Sequence, residues 1–197
     1  MCSSDLIHIP GLRASIEEAA LSTSTYLSES GPFPWNLRVP RAALCSLGEF
    51  PEQAIFCDEE MMASVLVSHH GWLLGTSEFS LEPRHALELI RSVEVEGDPL
   101  DVFQSTGGEL RLGILGRLGA EGGPSVDFGD PILEEDSLVA TVLGTHPPPE
   151  TMVVSLEIGF VSARQAFPAY LYLLLDAKVL ESTLGCLDAN PFCRADS

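Results

Sequence analysis

An α+β fold around a mostly antiparallel sheet is what this 197-residue sequence predicts, with an N-terminal helix, a middle helix and a C-terminal helix. Three observations carry that expectation. Helical and strand-like periodicities come in runs instead of strict β-helix-β alternation, short Gly- and Pro-containing links join neighbouring strand-like segments, and a hydrophobic fraction of 45% suffices for a packed core. Residues 1–30 are read as an N-terminal helix and tail, 31–185 as a single domain with a candidate sub-boundary near 97–100, and 186–197 as a polar tail.

Leu12, Ile16, Ala19, Ala20, Tyr26 and Leu27 recur at helical spacing, and Glu17 and Glu18 suit the positive end of a helix dipole, so a helix is expected over 12–28. Pro32, Pro34 and Pro40 disfavour helix at the residue before each, which makes the next stretch an extended connector pinned by Phe33 and Trp35. Strands are expected at Gln53–Cys57, Ser64–Ser68 and Trp72–Thr76, the last two joined by a turn at His69-His70-Gly71. Ser80 is placed as the N-cap of a helix striped by Ala86, Leu89, Ile90 and Val93, ending at Gly97-Asp98-Pro99. Asp101–Ser105 and Glu109–Leu115 look like a second hairpin around Thr106-Gly107-Gly108, and the glycines from 113 to 123 suggest a loop. Strands follow at Ser137–Gly144 and Thr151–Phe160, and a closing helix at 169–184, whose Tyr170, Tyr172 and Leu174 cover the sheet or meet another chain.

Twenty-nine acidic residues against ten basic ones give a formal net charge of −19. Backbone binding to nucleic acid needs clustered Lys and Arg, and nothing here forms such a patch; an anionic membrane surface repels the chain for the same reason. The N-terminus has neither the basic nor the apolar region of a secretory signal, and the run Ala169–Ala177 is far shorter than the ~20 apolar residues that span a bilayer. Five cysteines without a Cys-x-x-Cys pair fit reduced thiols in the cytoplasm or nucleus.

Motifs that carry chemistry are few. His69 and His70 are adjacent, so on a strand they point to opposite faces and cannot share one ion; a turn accounts for them more simply. Asp58, Glu59 and Glu60 form one acidic run and Glu134, Glu135 and Asp136 another, which serve as a solvated interaction surface more readily than as a cation site. The only lysine is Lys178, so the glycine-rich segments lack the Gly-Lys of a phosphate loop, and neither a dinucleotide fingerprint nor a serine elbow is present. No cofactor and no metal is expected.

Within VPRAALCSLGEFPEQAIFCDEEMMASVLVSHHGWLLGTSEF, residues 39–79, Leu47-Gly48-Glu49-Phe50-Pro51 is followed by a strand ending in Cys57 and acids, an apolar strand, a turn and Trp72-Leu73-Leu74-Gly75. This stretch resembles the hydrophobic motifs of the SUKH superfamily, which includes betaherpesvirus tegument regulators and bacterial immunity proteins. The resemblance implies an α+β domain that binds other proteins, as a viral host-defence antagonist in the tegument or as an immunity protein. Leu47, Phe50 and Trp72 would hold its fold.

The leading functional expectation is therefore an intracellular acidic module that binds a basic surface on a protein partner through Asp58–Glu60 and Glu134–Asp136. The alternative is a small enzyme or ligand-binding domain whose site gathers His69, His70, Glu78 and His85 across the hairpin and the following helix. The oligomeric state is left open.

Overall fold

The computed structural model describes residues 10–30, 34–50, 62–71, 75–92, 99–120, 126–136 and 147–181. Helix α1 (Pro10–Glu29) leads into strand β1 (Asn36–Ser46) and a 3₁₀ turn at Leu47–Glu49. Strands β2 (Met62–Gly71) and β3 (Gly75–Leu81) pair with each other, followed by helices α2 (Pro83–Arg91) and α3 (Pro99–Ala120). Two short strands, β4 (Val126–Phe128) and β5 (Ile132–Asp136), precede the long hairpin of β6 (Thr151–Val161) and β7 (Ala166–Asp176). The strands form one seven-stranded sheet in the order β1-β6-β7-β3-β2-β4, with β5 also on β2, and every described pairing is antiparallel. The α+β class expected from the sequence is the class observed.

Alternation along the strands sends side chains to two cores. Val65, Phe79, Val154, Leu156, Leu171 and Leu173 face the helices and pack with Ile16, Ala19, Leu110 and Ile114. Met62, Cys45, Val153, Tyr172 and Leu174 face the other way, around Phe50. Strand β7 lies inside the sheet and is buried on both faces, so its sequence AYLYLLL is apolar without a break. That corrects the helix expected over 169–184: the run is a central strand, and the chain turns helical only at 177–181.

Residues 99–120 require the opposite correction. They form one helix, where a hairpin and a glycine loop were expected. Val102, Thr106, Leu110 and Ile114 repeat every four residues and are buried, with Phe103, Arg111 and Leu115 beside them. Burial of this stripe outweighs the roughly 1 kcal/mol that each interior glycine costs a helix. Gly107 and Gly113 are also sterically required: a Cβ on Gly107 would lie 2.9 Å from Phe79 of β3, and one on Gly113 would lie 2.6 Å from Ala19 of α1.

Smaller differences have local causes. The expected connector is the edge strand β1, which absorbs Pro40 in an irregularity between Arg38 and Arg41, where a missing N–H is tolerated. His69-His70-Gly71 belongs to β2 rather than to a turn, and Ser80 belongs to β3, so the N-cap of α2 is Glu82 with Pro83 at its first position. The expected helix at 12–28 and strand at Thr151–Phe160 match α1 and β6. The strands expected at 53–57 and 137–144 lie outside the described residues.

Helix α1 is fastened to the start of β1 by serine hydroxyls. The Leu37 N–H donates to Ser24 Oγ at 2.8 Å and the Trp35 N–H to Ser28 Oγ at 2.9 Å. Those hydroxyls donate in turn to the Ala20 and Ser24 carbonyls of α1. Behind this joint Trp35 meets Phe160 and Phe167 edge-on, with ring centres 6.1 and 5.7 Å apart. Phe160 stacks on Phe167 and contacts Phe79, which contacts Phe103 of α3, so an aromatic chain ties the edge strand to the helix layer. Each such pair adds ~0.5–1.5 kcal/mol beyond the area that it buries.

Candidate functional site

Three polar arrangements and one groove stand out. On the sheet face away from the helices, Glu78 of β3 is buried, and its Oε1 accepts hydrogen bonds from Ser64 Oγ and Ser80 Oγ, both at 2.8 Å. Strand register builds this cluster, because Ser64 and Ser80 are direct cross-strand partners and Glu78 lies opposite Leu66 on one side and Tyr172 on the other. A neighbouring row across the sheet runs Ser80, Tyr170, Glu157 and Arg41, closed at the edge by an Arg41–Glu157 ion pair of 3.4 Å. That pair is solvent-exposed on the arginine side and contributes little, ~0–1 kcal/mol.

On the helix-facing side, Arg111 of α3 is buried and its Nε donates to Ser77 Oγ of β3. Its Nη2 has no hydrogen-bond partner. Burial lowers the guanidinium pKa to about 10, so the group stays charged at neutral pH. Across the sheet, burial and the nearby Glu49 carboxylate raise the Cys45 thiol to about 11. It is therefore a protonated, packed side chain instead of a nucleophile.

The residues expected to form a site are spread over the fold. His69 is buried on the helix-facing side of β2, 6.3 Å from the Phe128 ring, whereas His70 is exposed on the other face. Glu78 lies on the face opposite His69, as the pairing of His69 with Gly75 requires. His85 of α2 is stacked on Phe167 with centres 4.9 Å apart, and its Nδ1 is 3.7 Å from a Glu82 carboxylate oxygen. The structure thus joins Glu78 to two serines and does not gather His69, His70, Glu78 and His85 around one cleft.

Glu134, Glu135 and Asp136 lie on β5, opposite Ser64, Ala63 and Met62 of β2. Asp58, Glu59 and Glu60 lie outside the described residues. Among the described residues no three His, Cys, Asp or Glu side chains are grouped to hold a metal ion. Sequence reasoning missed Arg111 and Ser77; the signal was the four-residue spacing of Phe103, Gly107, Arg111 and Leu115, hidden by reading the segment as a hairpin.

The groove lies between α1 and the edge strand β1. It has a volume of about 340 Å³, a size that holds one or two side chains or a small ligand. The helices also present Leu21, Leu87 and Leu112 to solvent, each at least half exposed.

The arrangement of helices over one antiparallel sheet is shared with proteins of the bacterial flagellum. The chain matches the structure of Thermotoga maritima FliY with a TM-score of 0.64 at 15% identity, covering 90% of this chain and 96% of that one. It matches FliM from a FliM–SpeE complex of H. pylori with a TM-score of 0.65 at 10% identity, over 92% and 94%. FliM from a FliG–FliM complex of H. pylori gives 0.61 at 12% identity, over 89% and 96%. No protein-family model and no curated protein matches the sequence.

These likenesses identify the fold as that of FliM middle domains and FliY, and they overturn the SUKH resemblance. The residues that carried it are mostly apolar, glycine and proline positions; of these, Phe50 is buried in the second core and Gly75 opens β3 of this different fold. The expectations built on it, a viral host-defence antagonist, a tegument location and an immunity protein, are withdrawn, together with the functional assignments to an acidic module and to a small enzyme near His69–His85. No helix among the described residues is long and apolar enough to cross a membrane.

Proposed function

We propose that this chain is a protein-docking domain of a bacterial flagellar motor switch. One observation carries the proposal: domains of this fold match nearly the whole chain, and two of them, the H. pylori FliM chains, were solved bound to protein partners, FliG and SpeE. The helix layer supports it, since α1, α2 and α3 each hold a leucine out to solvent beside polar neighbours. A net charge of −19 favours a partner that is basic overall, because complementary charge speeds encounter.

The test is to delete the gene in its own host and, separately, to capture the tagged chain after mild crosslinking. The expected result is impaired swimming in soft agar and recovery of flagellar switch proteins, with recovery weaker as salt is raised from 0.05 to 0.5 M. Normal swimming and switching without any switch protein recovered would refute the proposal.

A further inference from the structure

The groove between α1 and β1 combines three features. Most of its lining is apolar, with Ala20 and Leu21 on the helix side and Trp35, Leu37 and Val39 on the strand side, beside the polar Ser24 and Asn36. Leu21 is 67% exposed, so apolar surface that could be covered is left in water. The third feature is a cation. Arg38 lines the groove, is exposed and makes no ion pair among the described residues.

That cation is one of several described ones without a carboxylate partner in a chain with 29 acidic residues. Arg13 and Arg84, by contrast, each have a carboxylate within 2.8 Å, and Arg41 has one at 3.4 Å. The groove also holds Glu17, but that carboxylate already accepts from Arg13 Nε at 2.8 Å. The local field around Arg38 is therefore less negative than the net charge suggests, and a planar guanidinium offers a two-pronged donor that suits a carboxylate. Two backbone donors at the strand wall, the Leu37 and Trp35 N–H groups, are already bonded to Ser24 and Ser28.

We propose that this groove receives a short segment of a protein partner in which an apolar side chain is flanked by an aspartate or glutamate. The apolar side chain covers Leu21 and fills the space against Leu37 and Val39, and the carboxylate pairs with Arg38. The inference rests on the docking role proposed above. It adds a division of labour: the overall charge of the chain draws in a basic partner, and the single carboxylate at Arg38 sets where the partner sits.

Selection from a displayed library of random twelve-residue peptides against the purified full chain tests this without any flagellar protein, so its failure is separable from failure of the docking role. Enriched peptides should carry Asp or Glu within two residues of Leu, Ile, Met or Phe. Their affinity, read by fluorescence polarisation of a labelled peptide, should fall at least tenfold for Arg38→Glu and severalfold for Leu21→Ser, two surface changes that leave the core intact. Selection against Arg38→Glu should replace the acid with Lys or Arg. The proposal is overturned if no peptides are enriched, if they show no acidic preference, or if both variants bind them like the parent chain. It is also overturned if the chain self-associates at micromolar concentration and Arg38→Glu abolishes that, because the groove would then be a contact between copies.

Discussion

Replacement of Gly113 by alanine tests how closely α1 and α3 are packed. In an exposed helix interior Gly→Ala stabilises by about 0.8–1.0 kcal/mol. At Gly113 the new Cβ would lie 2.6 Å from Ala19 Cβ and 2.9 Å from its Cα, against the ~3.5–4.0 Å of a favourable carbon contact. Both neighbouring atoms belong to a short, rigid side chain and its backbone, so relief requires the helices to part by roughly 1 Å. Overpacking of this kind costs about 1–3 kcal/mol, enough to exceed the propensity gain. Gly108 is the internal control: it lies in the same helix, and a Cβ there meets nothing within 4 Å. Gly108→Ala should therefore stabilise by ~1 kcal/mol while Gly113→Ala destabilises by ~1 kcal/mol, or about 2–4 °C in Tm for a chain of this size. Ala19→Gly in the Gly113→Ala background should recover stability, giving a favourable coupling of about 1–2 kcal/mol in a double-mutant cycle. The assay is urea denaturation followed by far-ultraviolet circular dichroism. If Gly113→Ala stabilises as much as Gly108→Ala, or if the two changes at 19 and 113 simply add, the helices are not in contact there and the reasoning fails.

Three further outcomes are expected. Glu78→Ala removes the shared acceptor of the buried Ser64 and Ser80 hydroxyls, which lie 2.8 Å apart so that only one can donate to the other, and should cost about 1–3 kcal/mol in urea unfolding, more than Ser80→Ala, which removes one hydroxyl and keeps the acceptor. Arg111→Met replaces a buried charge that has one serine partner; it should be neutral or up to ~2 kcal/mol stabilising, and a loss above 1 kcal/mol would mean that the guanidinium is better satisfied than its contacts indicate. Cys45 should resist a thiol reagent at pH 7 in the folded chain and react on unfolding. Because folding raises its pKa, the unfolded thiol ionises first, so its effect on stability is absent below about pH 9 and grows as a loss towards about pH 11; Cys45→Ala should flatten that part of the stability profile.

The sequence showed most clearly what periodicity alone can show. Helix α1 was legible because its apolar residues recur at helical spacing, strand β6 because a β-branched, apolar run follows a proline-rich connector, and the α+β class followed from hairpin-like links. Strand β7 was misread because it is buried on both faces; a continuous apolar run carries no period of two, and length alone could not separate strand from helix. Helix α3 was misread for the converse reason. Gly107 and Gly113 are there to let Phe79 and Ala19 approach, a long-range demand that local propensity registers only as a helix breaker. Of the candidate site residues, Glu78 proved part of a polar cluster, but its serine partners became visible only once the β2–β3 register was known. Arg38 attracted no notice in the sequence, because what distinguishes it is its place beside Leu21, Leu37 and Val39 in the groove against α1, which is a property of three dimensions.

The two serine hydroxyls at the α1–β1 joint make the edge of the sheet dependent on a helix. A strand at a sheet edge ordinarily leaves its outward amides to water, where they exchange with solvent deuterium within the mobility of the edge itself. Here the Trp35 and Leu37 amides are held by Ser28 and Ser24, so they exchange only when α1 lifts from the strand. Their exchange rates are thus a clock for undocking of the N-terminal helix from the outermost strand, which should occur while β6 and β7 remain protected.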